Sequence, residues 1–276
     1  MGLRARYRRL EAIGQRTVLD AARFVQRDSN PVAYRPRMPT EVAPGITRLG
    51  NEIVNFYLVE DDGGVTLVDA GLPGFRGQLD AALGGRRVDA VILTHGHIDH
   101  VGVAEGLRRE GTKVWIHSAD AAMARDGDEQ KTEGNLARYL RYGATWKLLG
   151  MALRSGGVRR PKIAEVSEFG DGEVLDVPGH PLVVHTPGHS NGHVVFVFGD
   201  RGVLMAGDAL CTWNPLTGRP GPQLMPRAFA SSLGQAQESL TRLEGIDAGV
   251  VLPGHGDPWT DGVGSLLART REAGPS

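Results

Sequence analysis

An α/β fold follows from three features of the 276-residue sequence. Residues 45–71 read as short β segments broken by a tight turn. From residue 75 onward, strand-like and helix-like segments alternate. After a helical stretch over 119–157 the strands resume, so two strand-rich halves flank a helical insert, an order that suits a two-sheet sandwich.

The first segment, MGLRARYRRLEAIGQRTVLDAARFVQRD, spaces Leu3, Tyr7, Leu10, Ala21, Phe24 and Val25 near a helical period, with Arg4, Arg8, Arg9, Arg16, Arg23 and Arg27 between them. It predicts a basic amphipathic helix, followed by the proline-rich linker NPVAYRPRMP. Residues 1–40 are therefore set apart from a single domain over 41–276. A helix laid over that domain with a solvated arginine face is the plain reading, and peripheral contact with a membrane or a partner is the functional one. Arg6 stands where a myristoylation signal needs Ser or Thr.

Three β segments come next, GITRLG, IVNFYLVE and VTLVDAG, the last two joined by an Asp61-Asp62-Gly63-Gly64 turn. A helix-like FRGQLDAAL, the apolar strand VDAVILT, a helix-like VGVAEGLRRE and the strand TKVWIH then alternate. Beyond the insert, EVLDV, PLVVHT, HVVFVF and GVLMAG are expected strands. A last helix opens at Ser232, where Ser232 and Gln235 have capping-box spacing and Leu233, Ala236, Leu240 and Leu243 form the buried stripe. The strand AGVVLPGHG follows it.

Composition narrows the partners. With 31 basic and 32 acidic residues the formal net charge is -1, which offers no global field for a polyanion, so nucleic acid is not expected. The single cysteine, Cys211, excludes an internal disulfide framework and a thiolate metal cluster; it reads as a small buried or pocket-lining residue. No run reaches the ~18 apolar residues of a membrane span, and the N-terminus has no secretory apolar core. The expectation is a cytoplasmic protein acting on a small molecule, with no signal for its oligomeric state.

The stretch THGHIDH, Thr94 to His100, packs three imidazoles and a carboxylate behind an apolar strand. His95 and His97, one residue apart, point the same way on an extended chain and can hold one metal together. Asp99 and His100 fall where the chain turns toward the next helix, so they are free to serve a second ion. Three further donors also follow apolar strands beside glycines: His189 in VVHTPGHS, Asp208 in VLMAGD and His255 in VVLPGHG. His189 or His255 alone is better read as a satisfied core or surface histidine. The whole set at matching strand ends is not so easily accidental. One sharing gives His95, His97 and His189 to one ion and Asp99, His100 and His255 to the other, with Asp208 bridging. Imidazole and carboxylate without thiolate suit two divalent ions, zinc first, with iron or manganese admissible. A pair at ~3.5–4 Å acidifies a shared water and polarises a carbonyl or phosphoryl oxygen, which is hydrolytic chemistry.

Taken in order, THGHIDH, TPGHS, GD and PGHG make the chain resemble the metallo-β-lactamase fold superfamily of metal-dependent hydrolases, over roughly Val42 to Trp259. The resemblance implies an αββα sandwich of two mixed β-sheets flanked by helices, with a binuclear site at one edge and the ligand sharing above. It also implies that Asp69, in VTLVDAG, steadies the His95 to His100 loop, the alternative being a cap on the turn at Gly71. Asp208 occupies the place where true β-lactamases of the superfamily have a cysteine or no ligand, and where lactonases, glyoxalase II-like thioesterases and phosphodiesterases carry an aspartate. The short stretch after His255 leaves no obvious room for the C-terminal helical region of glyoxalase II-like relatives, and the large insert of RNA-processing relatives is missing.

The resulting expectation is a binuclear hydrolase cleaving an ester, thioester or lactone through a metal-bridging hydroxide, with Asp99 or Asp208 relaying a proton to the leaving group. Phosphodiester cleavage and a metal-loaded binding or regulatory module are the alternatives. His193 reads as a strand histidine supporting the His189 loop in preference to an outer partner of the metal donors, His117 as pocket-lining or structural, and His180 and His185 as structural. Tyr139, Tyr142, Trp146, Leu148 and Met151, with the loop LCTWNPLTGRPGPQLMP, are expected either in the core or as a lid selecting an apolar moiety.

Overall fold

The computed structural model describes residues 37–127, 130–157 and 160–274. The expected N-terminal helix lies outside the described residues. The strand β1 (Thr40–Ala43) leads into β2 (Ile46–Gly50), β3 (Asn55–Asp61) and β4 (Gly64–Val68), all paired antiparallel. Asp62 and Gly63 both take positive φ, 45° and 81°, so the expected tight turn between β3 and β4 has the left-handed backbone that a two-residue hairpin needs. Three parallel strands complete the sheet: β5 (Ala90–Ile92), β6 (Lys113–His117) and β7 (Ser167–Phe169). The second half supplies β8 (Leu182–His185), β9 (Val194–Phe198), β10 (Val203–Gly207), a ribbon of β11 (Cys211–Trp213) and β12 (Pro220–Gln223), and β13 (Val250–Pro253). Its sheet runs β13-β10-β9-β8, with β13 parallel to β10 and the other pairs antiparallel. Both sheets are mixed, as the resemblance implied.

The two sheets close on each other through one core. From the first come Ile46, Tyr57, Val59, Val68 and Ile92; from the second come Val183, Val194, Phe196, Val203, Met205 and Leu252. Alternation along β9 explains how. Val194, Phe196 and Phe198 face the opposing sheet, while Val195 and Val197 face the helices on the outer side. A strand covered on both faces reads as a continuous apolar run, which is what VVFVF is.

Among the described residues, four helices belong to the first half and the insert: α1 (Arg76–Leu83), α2 (Ala104–Arg109), α3 (Ala121–Asp126) and α4 (Gly143–Arg154). The last two, α5 (Leu233–Ser239) and α6 (Gly262–Ala273), cover the outer face of the second sheet with Leu233, Ala236, Val263, Leu266 and Leu267. Ser232 caps α5 as expected, its Oγ accepting the Gln235 N–H at 3.3 Å. Among the described residues no helix is long and apolar enough to cross a membrane.

Three expectations need correction. EVLDV is not a strand: only Val174 bridges Leu182, and the first sheet is instead closed by the short SEF segment of β7. Leu175 and Val177 still enter the core, but the backbone pairing stops at the Val183 N–H to Glu173 carbonyl and Leu175 N–H to Pro181 carbonyl bonds, too few to form a strand. The helix at Ser232 is not the last, because α6 follows β13, its start masked by two glycines and its buried stripe carried by Val263, Leu266, Leu267 and Thr270. The post-Asp208 segment is not only loop, since β11 and β12 pair within it.

Candidate metal centre

Every expected donor follows the C-terminal end of a strand, and those ends meet at one edge of the two sheets. His95, His97, Asp99 and His100 follow β5, His189 follows β8, Asp208 follows β10 and His255 follows β13. All seven converge. His97 Nδ1 lies 2.8 Å from His189 Nε2, which lies 3.1 Å from His95 Nε2. His255 Nε2 lies 3.5 Å and His100 Nε2 4.0 Å from Asp99 Oδ2. Asp208 stands between the triplets, its Oδ2 3.3 Å from His189 Nε2 and 3.2 Å from His255 Nε2, its Oδ1 3.6 Å from His100 Nε2.

Backbone without side chains permits this crowding. A Cβ at Gly254 would collide with Asp208 Oδ1, and one at Gly207, where φ is +48°, would sit 2.7 Å from Thr94. Both positions demand glycine.

Hydrogen bonds behind the cluster set which imidazole nitrogen faces inward. Asp69 Oδ1 accepts the Thr94 N–H at 2.8 Å, and Asp69 Oδ2 accepts His100 Nδ1–H at 2.8 Å. The Thr94 hydroxyl donates to Asp69 and accepts from His95 Nδ1 at 3.0 Å. His255 Nδ1 donates to the Ile53 carbonyl at 2.6 Å. Each bond engages Nδ1–H, so His95, His100 and His255 all turn Nε2 toward the centre. Asp69 therefore steadies the loop rather than capping Gly71, and its positive φ of 59° aims the carboxylate there.

Two residues do more than the sequence alone assigns them. His193 Nε2 accepts the N–H of Asp208 at 2.9 Å while its Nδ1 donates to Thr186, and burial pushes its pKa down to about 3, so it stays a neutral acceptor. Asp120, fully buried, accepts from Gly96 N, Ser190 Oγ and Gly192 N at 3.0, 2.6 and 2.7 Å, binding the His95 loop to the His189 loop. Its signal was weak because it sits inside the helical insert. On the remaining side, the buried Arg48 donates to Asn55, Asp257 and the Gly256 carbonyl, each at 3.0 Å, and so grips the turn that carries His255.

The electrostatics call for a cation. Burial drives the pKa of His95 and His189 well down, keeping them neutral donors. At His100 burial also opposes protonation, but the carboxylates of Asp69, Asp208 and Asp99 outweigh it and raise the pKa. Burial disfavours the Asp208 carboxylate, yet His255 and His100 hold it ionised. Among the described residues, His100 Nε2 and Asp208 Oδ1 are buried with no hydrogen-bond partner. Buried polar atoms left unpaired are costly, and a cation held between them, in place of the proton the carboxylates favour on His100, removes the cost. The donor set fits a divalent ion.

Expected neighbours sort differently. His117 does not line the cavity above the cluster; it stacks on His185 with ring centroids 4.2 Å apart. Cys211 is buried and does not line that cavity either. The cavity, of about 520 Å³, is walled by Leu72, Ile98, Leu136, Leu148, Leu149 and Phe229, with Pro215 and Met225 from the post-Asp208 segment. Of the expected lid residues in the insert only Leu148 reaches it. Met151 is core, Trp146 donates to the Leu140 carbonyl, and Trp213, Tyr139 and Tyr142 line other clefts.

Residues 49–255 match the metallo-beta-lactamase superfamily. The chain belongs to the metallo-beta-lactamase superfamily. It is 28% identical over 235 residues to the probable metallo-hydrolase YflN of Bacillus subtilis, covering 80% of this chain and 87% of that one. Among solved structures it is similar to the metallo-beta-lactamase family protein TTHA1429 of Thermus thermophilus, with 27% identity, a TM-score of 0.59 and coverage of 84% and 79%. TTHA1623, solved in a di-iron-bound form, has 27% identity and a TM-score of 0.54, with coverage of 85% and 98%. Superfamily membership supports the expected metal-dependent hydrolase.

Proposed function

We propose that the seven converging side chains hold two divalent ions, His95, His97 and His189 at one and Asp99, His100 and His255 at the other with Asp208 between, and that the protein hydrolyses a carboxylic ester, thioester or lactone. The observation that carries this reading is the pair of donor triplets joined by Asp208 at the floor of an apolar cavity. Zinc suits the nitrogen and oxygen donors, and iron is compatible with them. When bound, two such ions supply Lewis acidity and a water of lowered pKa.

The residues themselves organise the reaction. Hydrolysis adds water across the acyl bond: a bond forms from the water oxygen to the acyl carbon, the C–O or C–S bond breaks, and the leaving group departs with a proton. Asp208 is buried, whereas the Asp99 side chain is 21% exposed, so Asp99 is the carboxylate placed to pass that proton at its Oδ atoms. The aliphatic walls exclude water and accept an acyl chain. The fixed Nε2 orientation of His95, His100 and His255 costs no reorganisation during turnover.

A panel of aryl esters, matched thioesters, lactones and bis-aryl phosphates tests the reading. Acyl substrates are expected to turn over, and His97→Ala to reduce the rate by more than about 100-fold, since even outer partners of metal ligands cost 10–100-fold. Preferential cleavage of the bis-aryl phosphate, or full rate in His97→Ala, would overturn it.

A further inference from the structure

A second cleft lies beside the cavity above the donor cluster and is more basic, for that cavity is mainly apolar and takes a single arginine, Arg160, into its lining. It measures about 520 Å³ and is lined by Arg138, Arg141 and Arg219 together with Tyr139 and Tyr142. No carboxylate lines it, and among the described residues none of the three guanidiniums forms an ion pair. Arg141 lies over the Tyr142 ring at 4.9 Å and donates to its hydroxyl, and the two tyrosine rings stand 6.4 Å apart. Arginines beside aromatic faces are suited to a phosphate next to a planar ring.

The clefts share a wall. Leu136 lines the cavity above the donor cluster and Tyr139 lines the basic cleft, and both belong to the 3-10 turn Leu136–Tyr139. In such a turn residues i and i+3 eclipse, with a rise of ~6 Å over three residues, so the clefts open along the same side of this segment. Thr145 ties the turn to the facing segment by donating from Oγ1 to the carbonyls of Tyr139 and Leu216 at 2.9 and 2.8 Å. Pro215 and Thr217 of that segment again line one cleft each.

We infer that the substrate is an acyl thioester or ester whose leaving group carries phosphate next to a heteroaromatic ring, the acyl chain lying in the apolar cavity and the phosphates in the basic cleft. This inference rests on the hydrolytic reading above and names its substrate class. The chain's balanced overall charge is compatible with it, because the field is local to the three arginines.

The test compares one acyl chain presented as its coenzyme A thioester, which bears three phosphates and an adenine, and as its N-acetylcysteamine thioester, which ends before the phosphates. The kcat/KM ratio of the first to the second is expected to exceed ten at low salt and to fall toward one in the triple variant Arg138→Ala, Arg141→Ala, Arg219→Ala. A ratio near one in the unmodified protein, or a parallel loss on both thioesters in the variant, would overturn the inference. If neither thioester, ester nor lactone is turned over, the hydrolytic reading itself fails. Binding of ADP followed by calorimetry still decides the cleft: a Kd at least tenfold weaker in the variant supports it, and an equal Kd refutes it.

Discussion

Replacing Asp69 by Asn changes one atom and reverses a chain of donors. Asp69 Oδ1 keeps its bond from the Thr94 N–H as the amide oxygen, but the new Nδ2–H₂ replaces the carboxylate oxygen that accepts His100 Nδ1–H at 2.8 Å. Two donors cannot face each other. His100 then pairs only by moving its proton to Nε2, the atom 3.6 Å from Asp208 Oδ1 and turned toward the proposed ions. The Thr94 hydroxyl also loses a charged acceptor, which loosens its hold on His95 Nδ1. Outer partners of metal-binding histidines are worth 10–100-fold in affinity, about 1.4–2.7 kcal/mol. Losing one charge-assisted hydrogen bond costs the fold about 1.5–3 kcal/mol more. Metal affinity measured by competition with a chromophoric chelator should weaken 10–100-fold in Asp69→Asn, with the His100-side ion lost first. Wild-type affinity for both ions would refute the assigned tautomers.

Arg48→Met removes three hydrogen bonds at a position only 3% exposed and leaves the buried Asn55 Oδ1 without its donor. The expected loss is about 2–4 kcal/mol in denaturant unfolding, and a change below about 0.5 kcal/mol would contradict the role given to this network. Glu105 contributes one pH dependence: the Arg108 guanidinium, the Ala164 N–H and Arg109 outweigh burial and lower its pKa from 4.5 to about 2. A depressed carboxylate contributes stability that is present above pH 4.5 and fades as pH falls toward 2. The stability gap between the wild type and Glu105→Gln should therefore close over that range, and a constant gap would contradict it.

How much was legible beforehand depended on whether the signal was local. The seven donors could be found because they fall in four loops that each follow an apolar strand and contain a glycine, so their convergence required only that the strand ends share an edge. Strands covered on both faces, such as HVVFVF, announced themselves as apolar runs. Asp120 was hidden because its partners Gly96, Ser190 and Gly192 are distant in sequence and two of its four bonds go to backbone N–H groups, which leave no trace in side-chain identity. Arg48 was hidden for the same reason: a lone arginine on a strand looks solvated until the turn of His255 folds over it. The aromatic residues of the insert misled because hydrophobic size does not say which cleft a side chain enters. Trp146 and Trp213 turned away, while aliphatic Leu136, Leu148 and Leu149 formed the wall.

A two-ion centre is tested most directly by the metal content of the purified protein, measured by elemental analysis for the wild type and for His97→Ala and His255→Ala. Two transition-metal ions per wild-type chain are expected, and a reduced complement in each variant, with the ion of the untouched triplet retained. A wild-type chain with no transition metal, or variants that keep the full complement, would contradict it.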